Sequence, residues 1–462
     1  MSKFIGRTEQ MRLLLNAWKA GDGMLALLYG RRRIGKTELI RQFVHDKKTV
    51  FFTGKETKSQ ILIDDFIAQA NLCFGREAVK PGEVTGWKAA IRIVLSHWST
   101  DERLILVFDE LQWAAAASPE LIGTLQEFWD HEWKESPKIG VILCTSSVAY
   151  ALKLLGSQSP LFGRTTLTIE LKELPMSAAV EMHPHYSNSD QAQIYFICGG
   201  VPLYHLAFVH RRPFRENLTE AFLSPAGPLY REGEMLMRAE FQEMPSYFAI
   251  LTALAEKPRR NKDILELMEA KDAHYYLDRL IRVGYVERIM PIAHRAPRTE
   301  ARYAIRDPFL RWWFFFLFNN LSAIELLGPK ESFSQIVAPQ LDHFFSSCFE
   351  AFCRNWLLRH YIVHDRAKGE VLVGQYWRHE KVQIDVVGCR TQDRWIDLGE
   401  CKWGKVKSIP AVIQELKRKA QNYPLHQDYS MGLRVFLHHS PLNAIASNVR
   451  IHTLEEMLDT NG

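Results

Sequence analysis

Three groups of residues have the types and spacing to do chemistry. The first is Gly30-Arg31-Arg32-Arg33-Ile34-Gly35-Lys36-Thr37, which fits the pattern G-x-x-x-x-G-K-[ST]. An apolar run precedes it and a helical pattern follows. In that context successive backbone N–H groups and a helix N-terminus wrap anionic phosphates. Gly30, Arg33 and Gly35 would shape the loop, Lys36 would reach the β/γ-phosphates, and Thr37 would ligate Mg²⁺. The charges of Arg31, Arg32 and Arg33 suit phosphates, solvent or nucleic acid equally well. The second group, Asp109-Glu110, ends the apolar run 104–109. A nucleoside triphosphatase needs a metal-side carboxylate and a group that orients water. Asp109 would hold Mg²⁺, usually through water, and Glu110 is the candidate base. Ser146, at the end of the next apolar run, and Arg164 read either as γ-phosphate contacts or as ordinary loop residues.

The third group is C-terminal. Asp385 lies in Val382-Gln383-Ile384-Asp385, and Glu400-Cys401-Lys402 lies in the following apolar run. Residues i and i+2 of a strand share a face, so Glu400 and Lys402 point together. The polar segment 390–394 reads as a turn between two paired strands, which would bring Asp385 within reach of Glu400. Two carboxylates can hold Mg²⁺ or Mn²⁺ while a lysine orients water or stabilises phosphoryl charge. Glu350, on the preceding helix, is a further candidate ligand. An E-x-K triplet alone is expected about once in a chain of this length. Two other readings stay open: a salt-bridged surface hairpin, and a fold kept only to bind DNA.

Basic residues flank this third group: Lys402, Lys405, Lys407, Lys417, Arg418 and Lys419. A second set, Arg295, Arg298, Arg302 and Arg306, is near 300. Either would suit a phosphate backbone. His274, Tyr275, Arg279 and Arg282 are offset by Asp272 and Asp278, so that helix suits an architectural role as well as DNA contact.

The elements that position these residues follow from periodicity. Short apolar runs at 24–30, 50–53, 104–109 and 139–146 alternate with helical patterns, the mark of a parallel sheet covered on both faces. Helical runs follow to about 235. Three short helices (248–255, 262–268, 273–283) and two strands (286–292, 301–305) make a winged-helix pattern. The aromatic run 309–318 reads as a buried helix with Pro308 near its first turn. Beyond it come a helix (344–360), strands at 382–389 and 395–403, a helix (411–422) and a strand (434–438).

Composition bounds the rest. A length of 462 residues, 47% hydrophobic and 24% charged, suits several globular domains. The longest apolar run, 312–318, is far short of the roughly 18 residues that span a bilayer. The first residues lack the apolar core of a secretory signal. A cytoplasmic protein without membrane partners is expected. Seven cysteines form no C-x-x-C pair, so neither a disulfide framework nor a structural zinc site is indicated. A formal charge of +5 is too mild to argue for nucleic acid by itself.

A family resemblance adds to this reading. Phe4-Ile5-Gly6-Arg7 resembles the F-[IV]-G-R-E segment of the origin-recognition and signalling ATPases of the AAA+/STAND group, with Thr8 where glutamate is common. In that group the segment lines the adenine pocket, which implies ATP as the nucleotide. Gly199-Gly200-Val201-Pro202 resembles the G-x-P turn of the lid. The stretch from Tyr303 to Phe314 is similar to a pattern of the archaeal-type prokaryotic ATPases, which carry a winged helix and a nuclease-type tail. Asp385, Glu400 and Lys402 resemble the D-x(n)-E-x-K centre of PD-(D/E)xK nucleases. Gln414 matches a polar position often present there, and Gln383 replaces a frequent acid.

The fold class implied is α/β: a P-loop ATPase with a parallel sheet and helical lid, a winged helix, and a restriction-endonuclease-like C-terminal domain. The expected divisions are 1–170 (ATPase core), 171–238 (lid), 239–306 (winged helix), 307–335 (helical connector) and 336–462 (nuclease-like). The expected function is an ATP-hydrolysing ATPase coupled to a DNA-directed, metal-dependent nuclease-like domain, as a monomer or a homo-oligomer, in defence or DNA maintenance. The alternatives are a signalling ATPase whose silent tail binds DNA or protein, and a scaffold that holds ATP without turnover. Glu110 argues against the last.

Overall fold

The computed structural model describes residues 4–98, 101–269, 272–293, 298–378, 382–424, 428–440 and 449–459. The chain forms two compact units, Met1–Pro175 with Val201–Leu203, and Met176–Gly200 with Tyr204–Gly462.

The first unit is built on five parallel strands: β1 (Met24–Tyr29), β2 (Thr49–Thr53), β3 (Leu104–Asp109), β4 (Ile139–Thr145) and β5 (Leu167–Glu170). Their order is β2-β3-β4-β1-β5. Every residue of β1, β3 and β4 is buried, because helices cover both faces. One face packs Phe52, Phe66, Trp87 and Phe108 together, and the other packs Leu14, Ile40, Phe43 and Ile142. β5 is an addition to the four strands expected. It is a short edge strand of four residues, two apolar and two polar, with only Ile169 buried, so it carries little apolar signal.

The second unit starts with helices, among them Asn188–Cys198, Phe214–Leu218 and Glu232–Glu240. Residues 176–200 and 204–238 of the expected lid thus fall in this unit. Helices Met244–Ala255, Asn261–Leu267 and His274–Arg282 precede β6 (Val286–Ile289) and β7 (Arg302–Ile305), an antiparallel pair. Arg259 bridges to β7 by exchanging backbone hydrogen bonds with Tyr303 at 3.0 and 2.7 Å. The aromatic run is a helix over Pro308–Trp312 that widens into a π-turn over Trp313–Leu317. Trp312, Trp313, Phe314 and Phe316 are all buried.

A 23-residue helix, Leu341–Val363, leads into β8 (Val371–Arg378), β9 (Val382–Arg390) and β10 (Trp395–Lys402), then helix Ile409–Ala420, β11 (Ser430–Leu437) and β12 (Arg450–Thr453). This sheet runs β12-β11-β10-β9-β8. The β8–β9 and β9–β10 pairs are antiparallel, and β10–β11 and β11–β12 are parallel. β8 and β12 are additions to the strands that periodicity indicates. β8 is interrupted by Gly374 and a register shift there, and β12 has four residues.

The segment after β6 packs on this sheet. Ile292 N–H donates to the Gln375 carbonyl at 2.9 Å, and Tyr423 Oη donates to the Ile292 carbonyl at 3.0 Å. The Arg302 guanidinium sits 4.5 Å from the Trp377 ring centre. Among the described residues no helix is long and apolar enough to cross a membrane.

Candidate nucleotide site and C-terminal carboxylate cluster

The phosphate loop begins where β1 ends. Gly30 has φ +150°, and a Cβ there would overlap the Leu171 carbonyl. Gly35, at φ +89°, turns the chain into helix Lys36–Val44. Both positions need glycine for backbone reasons. Arg33 takes φ +71° without being glycine. Arg7 braces the loop by donating from Nη2 to the Ile34 carbonyl at 3.0 Å. Arg31 pairs with Glu173 at 2.8 Å.

Lys36 is buried and folds back over the loop. Its Nζ donates to the carbonyls of Gly30 at 2.9 Å and Arg31 at 2.8 Å. Burial pulls its pKa down, and the acids Glu110 and Asp109 oppose that. Thr37 Oγ1 donates to Asp109 Oδ2 at 2.7 Å. A hydroxyl and a carboxylate in direct contact are hard oxygen donors of the kind Mg²⁺ takes. Together with the ammonium and the loop N–H groups, this set fits a Mg²⁺–nucleotide phosphate group.

Glu110 stands beside this pair in a left-handed conformation, φ +50°. Ser146 Oγ donates to its Oε2 at 2.6 Å. Gln112 Nε2 also donates to Oε2 and lies 3.2 Å from Ser146 Oγ. Thr145 Oγ1 in turn donates to Gln112 Oε1 at 2.6 Å. Gln112 is absent from the residues that the sequence singles out. Its only signal there is an amide two residues after Glu110, at the start of helix Leu111–Ala117. Arg164 is not brought to this cluster. It is tied at the surface to Asp130, Nε to Oδ1 at 2.8 Å and Nη2 to Oδ2 at 2.9 Å, which leaves its reading as a loop residue. From the Gly199-Gly200-Val201-Pro202 turn, Pro202 Cγ would be 3.9 Å from a Cβ on Gly35.

In the second unit the hairpin register Gly399↔Val386 sets Asp385 and Glu400 next in line across β9 and β10. Both are buried, 7% and 4% exposed. Asp385 Oδ2 accepts from Cys401 N–H at 3.0 Å. Lys402 Nζ meets Glu400 Oε1 at 2.9 Å, so Glu400 and Lys402 do share a face. Lys419, from helix Ile409–Ala420, takes the other oxygen, Oε2, at 2.7 Å. Gln414 on the same helix is exposed, as is Gln383. Glu350 comes near from helix Leu341–Val363, and Arg354 lies 3.8 Å from it and donates to the Asp385 carbonyl at 2.9 Å.

Burial, and then the Asp385 charge, push the Glu350 carboxyl up. Burial, and then the Glu400 charge, do the same to Asp385. The carboxylates therefore feel one another. Even so, among the described residues no group of three or more His, Cys, Asp or Glu side chains is disposed to hold a metal ion. The donor chemistry suits a divalent cation, but both oxygens of Glu400 are already taken by ammonium groups.

The basic residues divide. Lys405, Lys407 and Lys417 are exposed. Arg418 pairs with Glu415 at 2.7 Å. Arg302 lies over Trp377, and Arg279 donates to Tyr275 Oη at 2.8 Å. Arg295 and the side chain of Arg298 lie outside the described residues.

Residues 4–207 match a family model described as an ATPase domain predominantly from Archaea. Residues 313–413 match a model of archaeal and bacterial proteins of unknown function. An uncharacterized protein of Methanocaldococcus jannaschii is 25% identical over 426 residues, covering 90% of this chain and 92% of that protein. An uncharacterized ATP-binding protein of the same archaeon is 44% identical over 45 residues, 10% of this chain and 76% of that protein. A solved Walker-type ATPase of Pyrococcus abyssi aligns at TM-score 0.50 and 19% identity, covering 67% of this chain and 95% of its own. That likeness is one of fold. Residues 4–207 are thus similar to archaeal-type ATPase domains, and the chain shares the P-loop α/β fold of the Pyrococcus abyssi protein.

Proposed function

We propose that the chain binds and hydrolyses ATP with Mg²⁺ and uses the nucleotide state to govern a DNA-directed, metal-dependent nuclease-like tail. The observation that carries the ATPase half is the cluster of Lys36, Thr37, Asp109 and Glu110 at the ends of β1 and β3. Lys36 would take the β/γ-phosphates, and Thr37 and Asp109 would hold Mg²⁺, which when bound neutralises phosphoryl charge. Glu110, kept in place by Ser146 and Gln112, would accept the proton of the attacking water.

Coupling is supported by packing within the second unit. Helix Asn188–Cys198, immediately before the Gly199-Gly200 turn, lies against the end of β10. The Phe196 and Trp403 rings are 5.7 Å apart, edge to face, and Ser189 Oγ lies 2.8 Å from His438 Nε2. His438 stacks on Trp403 at 3.7 Å. A shift of that helix would therefore bear on the strand that carries Glu400 and Lys402.

The second reading, a silent tail that binds DNA or protein, is favoured by one observation: Lys402 and Lys419 together occupy both oxygens of Glu400. The deciding experiment incubates the full chain with supercoiled, linear and single-stranded DNA, with and without ATP, in Mg²⁺ or Mn²⁺. Cleavage that disappears in Asp385→Ala supports the nuclease. Hydrolysis of ATP with no cleavage of any DNA form moves the assignment to the silent tail.

A further inference from the structure

The helical segment at the start of the second unit holds a groove that neither the nucleotide site nor the carboxylate cluster uses. It encloses about 560 Å³ and is open to solvent along one side. Five of its lining side chains are arginine or histidine: His185, His210, Arg211, Arg212 and Arg215. One lining residue, Asp190, is acidic, and its carboxylate accepts from Ser187 Oγ at 2.9 Å at the start of helix Asn188–Cys198. Arg212 has a long, exposed ion pair with Glu216 at 3.8 Å. Among the described residues Arg211 and Arg215 have no carboxylate partner.

The loop that carries these cations is built, not merely exposed. Asn217 is 1% exposed. Its Oδ1 accepts from Val209 N–H at 3.0 Å, and its Nδ2 donates to the Val209 carbonyl at 2.8 Å and to Tyr186 Oη at 2.5 Å. Tyr186 Oη donates to the Arg212 carbonyl at 2.6 Å. Phe208 and Phe214, both buried and stacked with an interplanar angle of 12°, flank Arg211 and Arg212, and Arg215 follows Phe214 directly. Because the backbone between them is already fixed, a ligand need order only the arginine side chains.

We propose that this groove binds the phosphodiester backbone of nucleic acid. An open channel suits a strand that continues past it better than a small enclosed anion. Arginine presents planar, bidentate donors matched to phosphate oxygens. Imidazole and phenol rings beside a basic track suit an unpaired strand, whose bases can lie against them. The inference rests on the reading that the chain engages DNA, and adds where it does so.

The test is fluorescence anisotropy of the full chain with labelled single-stranded and duplex oligonucleotides across a salt series. Three proteins are compared: wild type, a groove triple variant (Arg211→Ala, Arg212→Ala, Arg215→Ala), and a tail triple variant (Lys405→Ala, Lys407→Ala, Lys417→Ala). The groove variant should bind single-stranded DNA at least about tenfold more weakly. Its log Kd against log salt should flatten by about 0.7 for each phosphate of a single strand that the arginines no longer neutralise. The circular dichroism spectrum and the thermal unfolding of the full chain should be unchanged, which shows that the variant is folded. The corresponding arginine-to-lysine triple should restore most of the salt slope. Groove-variant affinity within twofold of wild type, with the tail variant weakened, overturns the groove proposal and leaves the DNA reading standing. No DNA binding by wild type at low salt overturns both.

Discussion

Glu110 is the residue on which turnover should depend most. It is half-buried beside the Thr37–Asp109 pair and held by two donors, Ser146 and Gln112. Glu110→Gln keeps the shape and removes the base. It should bind ATP with near wild-type affinity while steady-state hydrolysis falls roughly 10²–10⁴-fold. Undiminished turnover in a clean preparation would remove Glu110 from that role. Lys36→Ala deletes the ammonium proposed to take the phosphates, so nucleotide binding itself should be lost in a fluorescent-nucleotide titration. Gln112→Ala should separate positioning from chemistry. With one of its two donors gone, Glu110 wanders, and the rate should fall by about tenfold with little change in nucleotide affinity. A Gln112→Ala enzyme as fast as wild type would show that Ser146 alone positions the base.

At the scale of elements, the second unit carries buried histidines that tie helices together. His205 Nε2 lies 2.7 Å from the Gly199 carbonyl, which can only accept, so that nitrogen bears the proton. His205 Nδ1 is then the acceptor for His183 Nε2–H at 2.8 Å. Both rings are thus fixed as neutral tautomers. Burial holds His183 down to about 3 and His205 to about 4. A depressed pKa means that the unfolded chain binds protons first. The stability this contributes is present in full above about 6.5, the ordinary histidine value, and is lost as pH falls from there toward 4. Each histidine contributes a slope of about 1.4 kcal/mol per pH unit over that window. Glu350 and Asp385, pushed up by burial, and His438 and His452, pushed down by it, titrate in the same unit, so the measurement compares denaturant titrations of the full chain with those of His205→Gln. The variant's stability should fall less steeply than wild type between about pH 6.5 and 4.5, and an unchanged slope would contradict the neutral pair. The β10 strand offers a parallel case. Arg434 and Asp397 are paired at 3.0 Å, almost fully buried, with Tyr361 also donating to Asp397. Arg434→Met leaves Asp397 charged and uncompensated and should cost about 3–5 kcal/mol.

Across the whole molecule, the nucleotide residues belong to the first unit and the carboxylate cluster to the second. Substitutions at one site should therefore leave the local chemistry of the other intact. Asp385→Ala and Glu400→Ala should each abolish any Mg²⁺- or Mn²⁺-dependent DNA cleavage and keep ATP binding at its wild-type level. Lys402→Ala should slow cleavage more than it weakens metal binding, since an ammonium supplies charge and not a ligand. Loss of ATP binding in either carboxylate variant would mean that the two sites are not chemically separate.

The phosphate loop was legible because it is contiguous. Eight neighbouring residues, an apolar strand before them and a helix after them determine its backbone path with no reference to the rest of the chain. Asp109 and Glu110 were legible for a related reason: an apolar strand that ends in acids must deliver them to the carboxyl ends of the parallel strands. The β9–β10 hairpin and the shared face of Glu400 and Lys402 followed from period-two alternation. What tertiary structure decided was which distant side chains meet. Gln112 reaches Ser146 because β3 and β4 are parallel neighbours in a particular register. Lys419 reaches Glu400, and Gln414 does not, because of how one helix is turned against β10. Arg164 goes to Asp130 and Arg302 to Trp377 by the same kind of packing. Local pattern encodes backbone conformation and facing, which depend on near neighbours in sequence. The pairing of side chains tens or hundreds of residues apart depends on strand order, register and helix rotation, which are set only when the elements pack.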